Sequence, residues 1–164
     1  LFPYTTLFRS KHAYGRAKAE AEKIVSNYRN CVIIRPSLIY SLEHKDRSTE
    51  WVENSISAGK EVTLFTDQMR NPVWTGTLLD ACLELADHDF CGILHLVGSQ
   101  TLSRAAFGKR LLHWWGIDTS GLIKQAPTPQ NAPWPKDLRL NIELAQKVLK
   151  TKMLSVDEVF ANLS

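Results

Sequence analysis

Residues 11–40 read KHAYGRAKAEAEKIVSNYRNCVIIRPSLIY, a helical pattern followed at once by a short apolar run. From His12 to Tyr28, Ala17, Ala21, Ile24, Val25 and Tyr28 recur at helical spacing, with Glu20, Glu22 and Lys23 between them. Cys31–Arg35 (CVIIR) is β-branched and apolar, bounded by Asn30 and Pro36. It is expected to be a strand buried on both faces. A helix delivering the chain into a buried strand is the repeating unit of a layered α/β fold.

The same alternation continues downstream. Glu50–Ala58 is expected to be a helix closed by Gly59, and Val62–Phe65 a strand. Thr66–Pro72 is a loop, Val73–Thr75 a brief extended piece and Leu78–Ala86 a helix. Ile93–Val97 is a strand between Gly92 and Gly98. Ser103 is placed to cap a helix running to about Trp115, ended by Gly116. A loop over 119–135 carries a short strand near Leu122–Gln125. Ile142–Lys150 is a further helix, and Ser155-Val-Asp-Glu158 is a capping box opening the last one. The strands at 31–35, 62–65 and 93–97 are expected in a mainly parallel sheet.

Within the opening helix, Tyr14 and Lys18 stand four residues apart and share a face. A phenol, with a pKa of about 10, is a poor acid or base at neutral pH. An adjacent ammonium favours the phenolate, and such a phenol can exchange a proton with a carbonyl or alcohol oxygen. Y-x-x-x-K alone is a weak signal, since any surface helix can carry it. The order YGRAKAEAE, CVIIR, Pro36-Ser37-Leu38-Ile39-Tyr40 is more specific. Three later segments extend it: Arg70-Asn-Pro-Val-Trp74, Gly92-Ile-Leu-His-Leu-Val-Gly98 with Leu102-Ser-Arg-Ala-Ala-Phe107, and Pro135-Lys-Asp-Leu-Arg-Leu-Asn141.

Taken together, these segments resemble the extended short-chain dehydrogenases/reductases, in their dTDP-4-dehydrorhamnose reductase-like branch, over nearly all of Lys11–Ser164. The resemblance implies the C-terminal part of a Rossmann-type doubly wound parallel sheet with a small substrate-binding region, the N-terminal half being missing. It implies an NAD(P)-dependent oxidoreductase acting on a nucleotide-activated sugar. A nucleotide-sugar epimerase or dehydratase, and a non-catalytic nucleotide-binding regulatory subunit, are the alternatives on this fold. Tyr14 corresponds to the proton donor. Lys18 corresponds to the lysine that activates it and bonds the nicotinamide ribose, and Pro36 and Ser37 to the turn against the nicotinamide. Leu38 stands where a tryptophan often meets the sugar, and Arg70 corresponds to an arginine near the substrate phosphates, a role that competes with capping its own loop. Two departures bear on the sugar: this Leu38, and Trp134, which replaces a frequent arginine; a third is Thr77, where an aspartate or asparagine is frequent. The resemblance also admits a homodimer of the full-length protein.

Leu1–Ser10 (LFPYTTLFRS) resembles the translation of a sequencing-adapter oligonucleotide, so Lys11 is expected to be the first natural residue. No G-x-G-x-x-G follows a strand, so NAD(P)H would find its site incomplete here, and the 164-residue chain alone is expected to be inactive.

Composition sets outer bounds. A net charge of +3 without basic runs does not suggest a nucleic-acid partner. Arg104, Lys109 and Arg110 near Trp114 and Trp115 are expected to form a solvated helix face beside a core aromatic pair. Three cysteines with no C-x-x-C suggest a reducing compartment, and the spacing of His88, Cys91 and His95 fits no zinc pattern. No apolar run reaches the roughly 18 residues of a membrane span, and the protein is expected to be cytoplasmic.

Overall fold

The computed structural model describes residues 13–119 and 121–163. The adapter-like residues 1–10 lie outside that range. In chain order the elements are α1 (Ala13–Val25), β1 (Val32–Pro36), β2 (Ile39–Tyr40), α2 (Arg47–Ser57), β3 (Val62–Phe65), β4 (Met69–Arg70) and β5 (Val73–Trp74). There follow α3 (Thr75–Ala86), β6 (Gly92–Leu96), β7 (Leu102–Ser103), α4 (Arg104–Trp114), β8 (Ile123–Ala126), α5 (Glu143–Val148) and α6 (Val156–Leu163).

The strands form four two-stranded ladders. β1 pairs parallel with β6 from Val32↔Gly92 to Pro36↔Leu96. β2 pairs parallel with β5, and β3 parallel with β8. The antiparallel ladder is β4 with β7. The α/β class is therefore as expected, but β3 does not join β1 and β6. Leu64 of β3 lies against Gly108 of α4, so β3, α4 and β8 close their own strand–helix–strand unit.

Local chemistry explains most boundaries. The Ser103 hydroxyl accepts from the Ala106 N–H and opens α4. Ser155 and Glu158 form the reciprocal capping box: Glu158 N–H donates to the Ser155 hydroxyl and Ser155 N–H to the Glu158 carboxylate. Helix α2 begins three residues before its expected start, because Asp46 accepts from the Thr49 N–H and serves as its N-cap.

Two cores hold the molecule. One gathers Tyr40, Leu42, Leu102, Phe107, Leu111, Val156 and Val159, with Leu38, Trp74, Trp114 and Trp115 packed against it. The pair Trp114–Trp115 packs half-buried against this core, and the Trp114 indole N–H donates to the Leu42 carbonyl at 3.2 Å. The second gathers Ala81, Leu85, Leu94, Leu96, Ala145, Leu149 and Met153 between α3, β6 and α5.

Two expectations need correction here. Residues 32–35 of β1 are half-buried rather than fully buried, because β6 is the one strand paired with β1 among the described residues. Helix α1 does not bury its larger apolar residues. Its packed face is Gly15 and Ala19, with half-buried Glu22 in line, while Ala17, Ala21, Ile24 and Tyr28 are exposed.

Candidate active site

Glu22 and Arg35 fix how α1 lies on β1. The Glu22 carboxylate takes both Nε and Nη2 of Arg35, at 2.8 and 2.5 Å. Near the other end of the contact, the Cys31 thiol donates to the carbonyls of Val25 and Tyr28 at 3.3 Å. Residue 25 therefore meets 31 while 22 meets 35, so the helix runs antiparallel to the strand. One helical turn back from Glu22 is about 6 Å, or about two strand residues. Going back along α1 from Glu22, Lys18 and Tyr14 therefore lie in the direction of the carboxyl ends of β1 and β6.

Tyr14 is 74% exposed. The Lys18 ammonium lies over its ring, 5.7 Å from the centroid, within reach of a cation–π attraction. Among the described residues no hydrogen bond engages either polar group, and none ties them to Pro36, Ser37 or Leu38. Pro36 is exposed, and Ser37 and Leu38 are half-buried. Both side chains of the pair are exposed.

The 70–74 segment crosses the carboxyl ends of β1 and β6. Val73 N–H donates to the Leu38 carbonyl at 2.9 Å, joining β5 to the turn. Gly98, just past β6, sits so close that a Cβ there would lie 2.0 Å from the Pro72 carbonyl oxygen. Asn71 is buried and staples the segment: its Oδ1 accepts from Leu140 N–H and its Nδ2 donates to Thr101.

Arg70 has a structural task in this arrangement. Its Nη1 donates to the Met69 and Lys136 carbonyls and its Nη2 to the Pro135 carbonyl, at 2.7, 3.1 and 3.0 Å. These bonds brace its own corner against the 135–136 segment. Burial, together with the charge of Arg104, pushes its pKa below the usual guanidinium value.

A residue expected on a solvated face lies elsewhere. Arg104 is half-buried and lines a cavity of about 60 Å³ with Leu38, Asp46, Ser48, Thr49 and Leu64. Its neighbours on α4 follow the expected pattern better, with Lys109 exposed and Arg110 paired with Asp157 at 3.0 Å. Among the described residues no cluster of three or more His, Cys, Asp or Glu side chains has a metal-binding arrangement. Among them, too, no helix is long and apolar enough to cross a membrane.

Comparison with known proteins supplies relatives for this geometry. Residues 8–162 match the pattern of the RmlD substrate binding domain. A probable low-salt glycan biosynthesis reductase of Haloferax volcanii is 29% identical over 165 residues, covering 92% of this chain and 55% of that protein. A hypothetical dTDP-4-dehydrorhamnose reductase from Sulfolobus tokodaii superposes with a TM-score of 0.68 at 25% identity, over 88% of this chain and 50% of its own. The Bacillus anthracis dTDP-4-dehydrorhamnose reductase, solved in complex with NADP, superposes at 0.73 with 18% identity, over 91% and 53%. The chain thus spans about half the length of these relatives. With the matched pattern covering nearly all of its length, the chain belongs to the RmlD substrate binding domain family.

Proposed function

We propose that the chain carries the proton-donating and sugar-binding part of an NAD(P)-dependent reductase acting on a nucleotide-activated 4-dehydro sugar. The observation that carries this reading is the Tyr14/Lys18 pair, exposed and one turn apart on a helix that runs back toward the carboxyl ends of two parallel strands. In open α/β sheets that is the end where ligands bind.

The residues present fit the nicotinamide ribose end of such a cofactor. Lys18 offers an ammonium with no hydrogen-bond partner among the described residues, suited to ribose hydroxyls. Pro36 and Ser37 offer a turn on which the ring can lie. When bound, the nicotinamide supplies the hydride. Tyr14 holds the proton that the reduced carbonyl oxygen takes up, and the neighbouring cation stabilises the phenolate left behind. Leu38 supplies an apolar wall for the sugar. The pyrophosphate cradle is not among these 164 residues, which contain no G-x-G-x-x-G, so we place the complete activity in the full-length protein. This extends the expectation that the chain alone is inactive. A cofactor held without its pyrophosphate contacts loses the positioning that hydride transfer needs.

The test is a stoichiometry. A purified full-length protein given NADPH and a dTDP-4-dehydro-6-deoxy sugar is expected to oxidise one cofactor per sugar reduced. Conversion of sugar without net cofactor oxidation would replace the reductase reading by an epimerase or dehydratase, whose cofactor is returned each cycle. No conversion and no cofactor binding would favour a regulatory subunit.

A further inference from the structure

Two of the three cysteines meet at the amino ends of β1 and β6, the end of that ladder away from the 36–38 turn. Its parallel register begins at Val32↔Gly92, so Cys31 and Cys91 stand opposite one another one position earlier. The Gly92 N–H donates to the Cys31 carbonyl at 3.1 Å and holds the two backbones together there. Gly92 has a φ of +127°, a conformation that glycine adopts readily. Alternate residues of a strand share a face. Accordingly Cys31, Ile33, Cys91 and Ile93 line one cavity of about 340 Å³. Cys82 lies apart from them, on α3, packed against the core that holds Val32, Ile34 and Leu94.

The spacing suits a covalent bridge. Neighbouring strands lie about 4.8 Å apart, and disulfides join Cα atoms about 4.4–6.8 Å apart. Both cysteines stand just outside the strands, where the backbone yields more easily than inside a ladder. Their surroundings differ in a useful way. Cys91 is exposed, and its thiol reaches the Asp89 carbonyl only at 3.8 Å. Cys31 is half-buried, with its thiol shared between the carbonyls of Val25 and Tyr28 at 3.3 Å. An accessible thiol beside a sheltered one is the arrangement of an attacked and a resolving cysteine.

We infer that Cys31 and Cys91 form an oxidative modification site, closing to a reversible disulfide when a peroxide reaches the cavity. The Cys91 thiolate attacks hydrogen peroxide: the O–O bond breaks, an S–O bond forms and hydroxide leaves, giving a sulfenic acid. The Cys31 thiolate then attacks the Cys91 sulfur. The S–S bond forms as the S–O bond breaks, and a second hydroxide leaves. With the two thiol protons, the two hydroxides become water, so the dithiol is oxidised by two electrons and the peroxide is reduced. In a reducing compartment the resting form is the dithiol, and thiol exchange restores it. The bridge takes the Cys31 proton away from the Val25 and Tyr28 carbonyls. It therefore acts on the end of α1, the helix that carries Tyr14 and Lys18, and it does so whether or not that pair is catalytic.

The experiment uses the full chain, reduced, exposed to hydrogen peroxide and then alkylated with iodoacetamide. Peptides are mapped without reduction. Before peroxide, Cys31, Cys82 and Cys91 should all be alkylated. Afterwards Cys82 alone should be, with the peptides of Cys31 and Cys91 joined and released again by dithiothreitol. The rate of bridging should not depend on protein concentration, since both thiols belong to one chain. Cys31→Ser should stop the reaction at the Cys91 sulfenic acid, which dimedone labels. Cys82→Ser should bridge as wild type does. The mapping of wild type stands even if a variant fails to fold. All three cysteines still alkylated after peroxide, Cys91 carried on to sulfinic acid without a bridge, a bridge that includes Cys82, or one formed only between copies would each overturn the inference.

Discussion

Two tyrosines mark two different regions of this molecule. Tyr40 is 2% exposed, edge-on to Phe107 at 5.2 Å and tilted on Phe160, in the core closed by α4 and α6. Burial, and then the charge of Asp157, push its phenol well above the ordinary tyrosine value, so it holds its proton at any physiological pH. Tyr14 stands 74% exposed on α1, with the Lys18 ammonium as neighbour. The same side chain is packing material in one region and a solvent-exposed phenol, the proposed proton donor, in the other. The difference lies in the surroundings: helix α1 buries two small residues and is tied to β1 by one ion pair, whereas Tyr40 is enclosed on several sides by aromatic and aliphatic side chains.

That contrast can be broken by mutation. Leu94 is fully buried between α3, β6 and α5, so Leu94→Ala is expected to cost about 2–5 kcal/mol in urea unfolding. Leu79→Ala, on the exposed side of α3, should change stability by less than about 0.5 kcal/mol. Equal costs at the two sites would mean that the outer face of α3 is covered in solution. Gly98→Ala comes next, since its new methyl meets the Pro72 carbonyl. Overpacking of this kind costs about 1–3 kcal/mol, and here the atom in the way is backbone. A neutral Gly98→Ala would show that the 70–74 segment is not clamped against β6.

Much of this was legible in the sequence, and what was not has identifiable causes. CVIIR, VTLF and GILHLV announce β1, β3 and β6 by composition, and Ser103 and the Ser155/Glu158 box announce their helices by capping chemistry. The two-residue strands β2, β4 and β7 are too short to show any period. The β3–β8 pairing joins segments some 60 residues apart, and no local pattern encodes it. On α1 the apolar period pointed to Ala17, Ala21 and Ile24, but the buried positions are Gly15 and Ala19, whose small size a hydrophobicity pattern undervalues. In the site, the Tyr14/Lys18 spacing was legible because it is local. The engagement of Arg70 was not, because the Pro135 carbonyl it meets comes from 65 residues away.

A smaller effect follows from the carboxylates that tie the C-terminal segments to the body. Glu84 accepts from the N–H groups of Lys150 and Thr151 and from the Thr151 hydroxyl, and these bonds lower its pKa to about 2. Glu158 is lowered to about 2 by Lys152, then by the Ser155 N–H and hydroxyl. Both folded values lie below the unfolded value of 4.5. The stability they contribute is therefore complete above pH 4.5 and is lost as pH falls towards about 2. Thermal scans across that window should show a falling midpoint, with a shallower slope in Glu84→Gln. An unchanged slope in that variant would remove Glu84 from the account.

The central claim is that Tyr14 donates the proton in a hydride transfer at the carboxyl ends of β1 and β6. Single-turnover reduction of a dTDP-4-dehydro sugar by NADPH, in the full-length protein with and without Tyr14→Phe, tests it most directly. The account predicts a rate lower by about 10²–10⁴ in the variant, the usual worth of a positioned general acid, with NADPH affinity within about twofold. An undiminished rate in Tyr14→Phe would contradict it.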